Sequence, residues 1–471
     1  MEYSLQESNS LFNALYSAQE LYIINFNIDI TSILSTSTLS LKIFKSKFLE
    51  VDIPILKGMT DSFIRKSYFG GGTDYYKAYG TNLHYYDVNS LYPFAMSKPM
   101  PYKLINKYKD MSNIELNNFF GFCLVEVETP NNILKPMLPV KYNNQTIYPT
   151  GSWTGVYFSE ELKALTPLGY KFKLIEGYEF SKIDLFSKYI EHFYNLKKIS
   201  TGSERFIAKM HLNQLYGIFG RRKDLIQTIN IYRKDLEKYL ISKIIKSIIE
   251  INEEIITILI QNNIDNDILE ELNICLDTNI TSKSIEVQSN VAIASAVTSY
   301  ARIHMIPYKL LPGTVYTDTD SIFTSDILDN NLIGKELGLM KDELDGITIQ
   351  EGYFLGIKQY GYKYIDNNNQ IIERSTFAGV ERNSLSLFEI KSIVEGNIIR
   401  KEIPIRFYKT FKTLNISIKS THVSLRKTNL KKLINNNYIP ININNIIKPK
   451  YSLFNIIKRK VLKLINKYLK Q

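Results

Sequence analysis

Two carboxylates, Asp318 and Asp320, stand one residue apart in the run Tyr316-Thr317-Asp318-Thr319-Asp320-Ser321. The flanking stretches, LPGTVY and SIFTSD, read as strand, tight turn, strand. On a strand, residues i and i+2 share a face; at a turn two such groups can also converge on one ion. Paired carboxylates with no partner base repel unless a cation neutralises them. Hard oxygen ligands with two negative charges suit Mg²⁺, which keeps its waters and accepts substrate phosphates, with Mn²⁺ as a substitute. Taken alone, Asp-x-Asp is weak. Surface turns, calcium loops and sugar-nucleotide transferases carry it too.

A second group is Asp87-Val88-Asn89-Ser90-Leu91-Tyr92-Pro93. The preceding Asn82–Val88 has strand character, and Asn89 and Ser90 are N-cap types that can start a helix. That places a metal-binding carboxylate beside free N–H groups able to take phosphate oxygens, with the Tyr92 ring available to floor a sugar pocket. A third group is Lys209, Asn213, Gln214, Tyr216 and Gly217. Positions 209, 213 and 216 are i, i+4 and i+7, so a cation, an amide and an aromatic ring share one helix face. They could hold a triphosphate and stack on a base. Lys197 or Lys198, ending the preceding helix, could add a phosphate contact. Each group alone also has a structural reading: a surface turn, a capped helix with a core tyrosine, an amphipathic helix with its lysine fringe.

The elements that position these groups follow from the rest of the chain. Residues 1–60 read as mixed helix and strand, with Thr31–Leu41 a loop or edge strand. Residues 100–185 alternate short strands with turns, and residues 183–198 and 203–219 form a helical hairpin. The Ile-rich stretch 224–280 reads as inserted helices. Residues 285–308 form a long helix with small residues on its inner face, 350–375 another hairpin, and the tail after 376 helix and loop. The three glycines of Ser67–Gly80 mark a backbone that turns sharply or is closely approached.

Composition bounds the class. The chain has 471 residues, enough for about three domains or one large multi-lobed enzyme. Two cysteines, Cys123 and Cys275, exclude a disulfide framework and a cysteine-based zinc site; both are expected to be buried. No apolar run approaches the length a membrane span needs, and the start shows no secretory pattern. Net charge is +11. Sixteen Lys and Arg, and no acid, follow Glu402, so the first 402 residues carry −5. A basic last lobe favours an anionic partner such as nucleic acid.

Jointly, and in this order, the three groups are specific. They resemble the polymerase motifs of family B DNA polymerases: D-x-x-S-L-Y-P at Asp87–Pro93, K-x-x-x-N-S-x-Y-G at Lys209–Gly217 and Y-x-D-T-D-S at Tyr316–Ser321, with Gln214 in place of the usual Ser. Tyr68-Phe69-Gly70-Gly71 resembles the Y-x-G-G linker, and Lys358-Gln359-Tyr360 the K-x-Y motif, of the protein-primed branch. The nearest likeness is to polymerases of linear mitochondrial plasmids of fungi and plants.

The resemblance implies an α/β (α+β) right-hand fold with palm, helical fingers hairpin and thumb. It divides the chain into an exonuclease remnant and linker (1–60), palm (61–99), an insertion that binds a terminal protein (100–182), fingers (183–221), a second insertion (222–284), palm (285–375) and a basic thumb-like region (376–471). It implies dNTP addition to a primer 3′-OH with two Mg²⁺ ions held by Asp87 and Asp320, Asp318 supporting. Val88, Ser90, Leu91, Tyr92, Lys197, Lys209, Asn213 and Tyr216 would bind nucleotide. Tyr68, Gly70, Gly71, Gly217, Thr319, Lys358 and Tyr360 would touch DNA. Implied partners are primer–template DNA, dNTPs and a terminal protein as primer, with the protein monomeric, off the membrane and in the mitochondrion. Tyr3-x-x-x-Glu7 resembles the third exonuclease motif with Glu where Asp is usual, and no D-x-E pair precedes it. Proofreading is therefore expected to be missing, whether the chain is a fragment or a natural truncation. A degenerate polymerase that only binds DNA or a terminal protein is the alternative.

Overall fold

Residues 2–48 form two helical stretches joined by a loop at 27–35. Helix α1 (Glu2–Phe26) is followed by α2 (Thr36–Ile43), which continues into one π-helical turn, Phe44–Phe48. This corrects the mixed reading of the first sixty residues. The Ser/Thr run marks a helix start: Ser35 is extended, and its hydroxyl accepts from the Thr38 N–H at 3.3 Å. A short helix, α3 (Gly58–Arg65), leads into the glycine-rich segment. The computed structural model describes residues 2–446, apart from 144, 222–225, 243, 262–288, 411–414 and 429.

The sheet that carries the acids is built from β1 (Thr73–Tyr75) and β2 (Tyr79–Val88), followed by the short helix α4 (Leu91–Met96). Next come β3 (Met100–Tyr108), β4 (Gly121–Glu128), the small hairpin β5–β6 (Val140–Tyr142, Gln145–Ile147), β7 (Ser152–Phe158), helix α5 (Ser159–Leu165) and β8 (Lys171–Ile183). Strands β3, β8, β4 and β7 form a separate antiparallel sheet with its own core around Phe119, Val125, Trp153 and Tyr157. The helical hairpin is α6 (Ser187–Ile199) and α7 (Gly202–Phe219).

Residues 226–261 overturn the helical expectation. They form β9 (Ile226–Tyr232), one helix α8 (Leu236–Ser242), β10 (Ile244–Glu250) and β11 (Ile255–Gln261), paired in the order β10-β11-β9. Isoleucine is branched at Cβ and favours strands, and the acids Glu253 and Glu254 fall in the β10–β11 turn. The rest of that insertion, from 262, lies outside the described residues, as does Cys275. Cys123 is buried.

Helix α9 (Val291–Leu310) runs through the middle of the molecule. Its small residues Ala292, Ala294, Ser295, Ala296, Ser299 and Ala301 are all buried, letting α3, α4, α5 and α7 approach closely. The chain then returns to the acidic sheet with β12 (Thr314–Asp318), β13 (Ser321–Thr324), β14 (Met340–Asp342), β15 (Ile349–Gly356), β16 (Gln359–Ile365) and β17 (Ile371–Phe377). The order is β1-β12-β13-β2-β15-β16-β17, with β14 also on β2, and the pairs are antiparallel.

Up to residue 446 the tail carries strand hairpins that the expectation of helix and loop did not include. Helix α10 (Leu387–Val394) precedes a long hairpin, β18 (Ile399–Thr410) and β19 (Asn415–Leu425), and a short one, β20–β21 (Lys432–Ile434, Asn437–Ile439). Nor is it a detached lobe. Tyr438 sits under the acidic sheet and donates to the Phe354 carbonyl at 2.9 Å, and the Lys431 ammonium meets Asp74 at 2.5 Å.

Candidate active site

Asp87 ends β2 at the centre of the sheet, and Asp320 lies in the β12–β13 turn beside it. Asp87 pairs with Ser321 across the strands, and the Val88 N–H donates to the Asp320 carbonyl at 2.7 Å. The turn is tight: the Asp320 N–H donates to the Asp318 carbonyl, and Thr319 takes φ 61. A β-branched residue at positive φ is strained, and the Thr319 N–H is held by the Gly72 carbonyl at 3.0 Å. Burial first, then Asp320 and Glu343, push the Asp87 carboxyl up to about 7, against the pull of Lys209 and Lys341. Burial, with Asp318 adding, also raises Asp320. Two half-buried carboxylates that repel each other could hold a divalent cation.

Asp318 points elsewhere. The Lys358 ammonium donates to it at 2.8 Å and the Thr73 hydroxyl at 3.0 Å. Among the described residues no three His, Cys, Asp or Glu side chains are gathered as a metal cluster. The pair that could hold a cation is Asp87 and Asp320, with Glu343 of the Lys341-Asp342-Glu343 segment as its acidic neighbour. The sequence reading passed over that segment, and its only signal was a run of charge beside β14.

The helical hairpin closes over this pair. Lys209, Asn213 and Gly217 are exposed and Tyr216 half-buried, while Leu212, Leu215 and Ile218 on the far side are buried. The Tyr216 ring stacks on Tyr92 at 4.3 Å between centroids, and the two side chains are hydrogen-bonded. The Lys197 ammonium donates to the Ser90 hydroxyl at 2.9 Å, whereas Lys198 pairs with Glu336. Of the two lysines left open by the sequence, Lys197 is the one beside the acidic pair. Burial, then Lys209 and Arg205, lower its pKa, against the pull of Asp87. Ser90 takes the N-cap position expected, but it is left-handed (φ 58), and its hydroxyl makes no cap hydrogen bond and accepts from Lys197 instead. Val88 and Leu91 turn their side chains into the core. The amide of Gln214 faces away from the cleft and accepts from the Thr36 hydroxyl.

The glycine-rich segment borders the same cleft. A Cβ at Gly71 would lie 2.6 Å from Thr319 Cγ2 and 2.8 Å from the Tyr92 hydroxyl, whereas Gly70 and Gly217 face open space. Tyr68 packs on Gly220 at the end of α7. Lys358, itself at φ 55, donates its N–H to the Tyr316 hydroxyl at 2.9 Å, and Tyr360 lies against the Tyr316 and Phe323 rings.

The model of DNA polymerase type B, organellar and viral, matches residues 8–309. The chain belongs to that family. Over 389 residues it is 36% identical to a "Probable DNA polymerase" of Podospora anserina, covering 78% of this chain and 32% of that protein. It is 33% identical to one of Neurospora intermedia, covering 79% and 38%, and 30% identical over 215 residues to the DNA polymerase of Bacillus phage Nf, covering 42% and 36%. The chain thus spans about a third of the first two relatives. Phi29 DNA polymerase complexed with primer-template DNA and incoming nucleotide substrates shares the right-hand fold, with a TM-score of 0.61 at 18% identity over 83% of this chain and 68% of that one.

Proposed function

We propose that this chain is a DNA-directed DNA polymerase that adds dNTPs to a primer 3′-OH, in protein-primed replication of a linear plasmid in the mitochondrion. The observation that carries the reading is the half-buried Asp87–Asp320 pair set between two cations, Lys197 and Lys209, and a tyrosine platform, Tyr92 on Tyr216. Family membership and the fold shared with a primer–template complex support it.

Asp87 and Asp320 fit a divalent cation, Mg²⁺ with Mn²⁺ as substitute. When bound, the ion supplies charge neutralisation for the attacking 3′-oxygen and the leaving pyrophosphate. The residues of the chain do the rest. Lys197 and Lys209 neutralise the triphosphate, with Asn213 and Ser90 beside them. The Tyr92 ring floors the sugar and excludes a 2′-OH, while Tyr216 stacks beneath the nascent base pair. Tyr68, Gly70, Gly71, Gly217 and Thr319 line the DNA path, and Lys358 and Tyr360 hold the primer strand. The Lys358–Asp318 ion pair ties that support to the acidic turn. Such a site works in a monomer with no membrane, primed by a terminal protein.

Primer extension with Mg²⁺ tests the reading. Extension by the wild type, and a loss of at least a thousandfold (on the order of the ~4 kcal/mol that such electrostatic groups supply) in Asp320→Ala, is expected. No extension by either would favour a polymerase remnant that binds DNA without catalysis.

A further inference from the structure

Beneath the glycine-rich segment lies a knot of buried charge. Arg302, Lys309, Lys431, Glu161 and Asp74 are each 8% exposed or less. Two pairs are made. The Arg302 guanidinium spans both oxygens of Glu161 at 2.6 Å, and the Lys431 ammonium meets Asp74 at 2.5 Å. Arg302 also donates to the Gly70 carbonyl at 2.7 Å, so this knot holds the segment from below.

The fifth charge is left over. Lys309, 2% exposed, makes no ion pair among the described residues; the Tyr148 ring lies 5.2 Å from its ammonium. A buried ammonium with no ion-pair partner of its own is costly, and burial lowers its pKa to about 8 against the pull of Asp74 and Glu161. The ammonium abuts Gly72, where any Cβ would collide with it, and the Tyr148 hydroxyl is 3.2 Å from the same point. That hydroxyl is buried and has no hydrogen-bond partner. Tyr148 also walls a cavity of about 460 Å³, together with Gly71, Thr73, Gln145, Gln359 and Thr428. No acid lines this cavity.

We propose that Lys309 is a concealed phosphate-binding cation, taking a phosphodiester of the polynucleotide that lies across Gly70–Thr73, with the Tyr148 hydroxyl as second donor. The glycines have no side chains to keep the strand away from it. Glu161 holds Arg302 with both oxygens, and Asp74 holds Lys431 with one while its other oxygen has no hydrogen-bond partner; three cations against two acids still leave one positive charge to an outside anion. The inference rests on the polymerase reading and adds a subsite to it.

The test is binding of a fluorescein-labelled primer–template duplex to the full chain in EDTA, over a range of KCl concentrations. Lys309→Met should reduce the slope of log affinity against log salt by about one and leave the KM for dNTP unchanged. Its melting point should hold or rise, since an unpaired charge is removed, whereas Arg302→Met should melt lower because Glu161 is stranded. An unchanged salt slope in Lys309→Met, or a shift in the KM for dNTP alone, would overturn the proposal. Failure of the wild type to bind the duplex would sink the polymerase reading, and this subsite with it.

Discussion

Asp87 is the acid whose charge changes nearest neutrality. Its carboxyl, raised to about 7 by burial and by Asp320 and Glu343, must be ionised to take a cation. Extension at limiting Mg²⁺ should therefore fall about tenfold per pH unit below pH 7, a slope that saturating Mg²⁺ flattens. The same shift acts on stability with a definite sign. Between the ordinary carboxylate range and pH 7 the folded chain holds a proton that the unfolded chain has released, so stability falls as pH rises through that window. Asp87→Asn should then melt higher than wild type in EDTA at pH 8, by about 1–3 kcal/mol discounted for partial exposure, while abolishing extension. Calorimetry and a pH series of extension rates check both halves. The residues behind these predictions were legible because carboxylate, cation and ring spacings survive in any linear reading. Glu343 and the Arg302–Glu161 pair were not. Their partners lie far away in sequence, and no local pattern announces a contact made only in the folded state.

Helix α7 shows what an element adds. Its cleft face carries Lys209, Asn213 and Tyr216; its rear is clamped to α1 and α2. His211 is buried between the Tyr22 hydroxyl and the Ser40 hydroxyl, each at 2.7 Å. Ser40 spends its proton on the Thr36 carbonyl, so it accepts from Nδ1–H, and Nε2 accepts from Tyr22. This is a saturated neutral imidazole, and burial holds its pKa down at about 4. Between pH 6.5 and 4 the unfolded chain binds a proton that the native chain refuses, so stability should drop as pH falls through that window, by roughly 2–3 kcal/mol. His211→Gln should remove that part of the slope in melting point against pH. The hairpin of α6 and α7 was readable from its 3.6-residue period. The strands of 226–261 were not, because isoleucine runs fit a buried strand and an apolar helix face alike. The helical N-terminus was misread for a related reason, since Ser and Thr mark helix caps as often as loops.

At the scale of the whole molecule, the charge imbalance acquires a location. The basic tail is not a separable lobe up to residue 446: Lys431 and Tyr438 lie within the acidic sheet's own packing, and the Asn436 side chain bonds both backbone groups of Tyr79. Cutting at 402 would unravel that sheet. Ending the chain at Ile446 removes eight of the sixteen positive charges and none of these contacts. That variant should melt as wild type does and keep its KM for dNTP. Its duplex affinity should be lower, with a shallower salt dependence. Equal affinity at moderate salt would detach those charges from DNA binding.

The order of strands in the acidic sheet has a consequence for synthesis. Asp87 is synthesised well before the neighbours of β2, namely β13, β14 and β15, which come from residues 321 to 356. Sequence-distant pairing of this kind is slow to form, because a long loop must close before any contact rewards it. Until that point the first acid has no second, and Val88 has no Asp320 carbonyl to hold it. The pair of acids therefore comes together in one step, when the sheet closes.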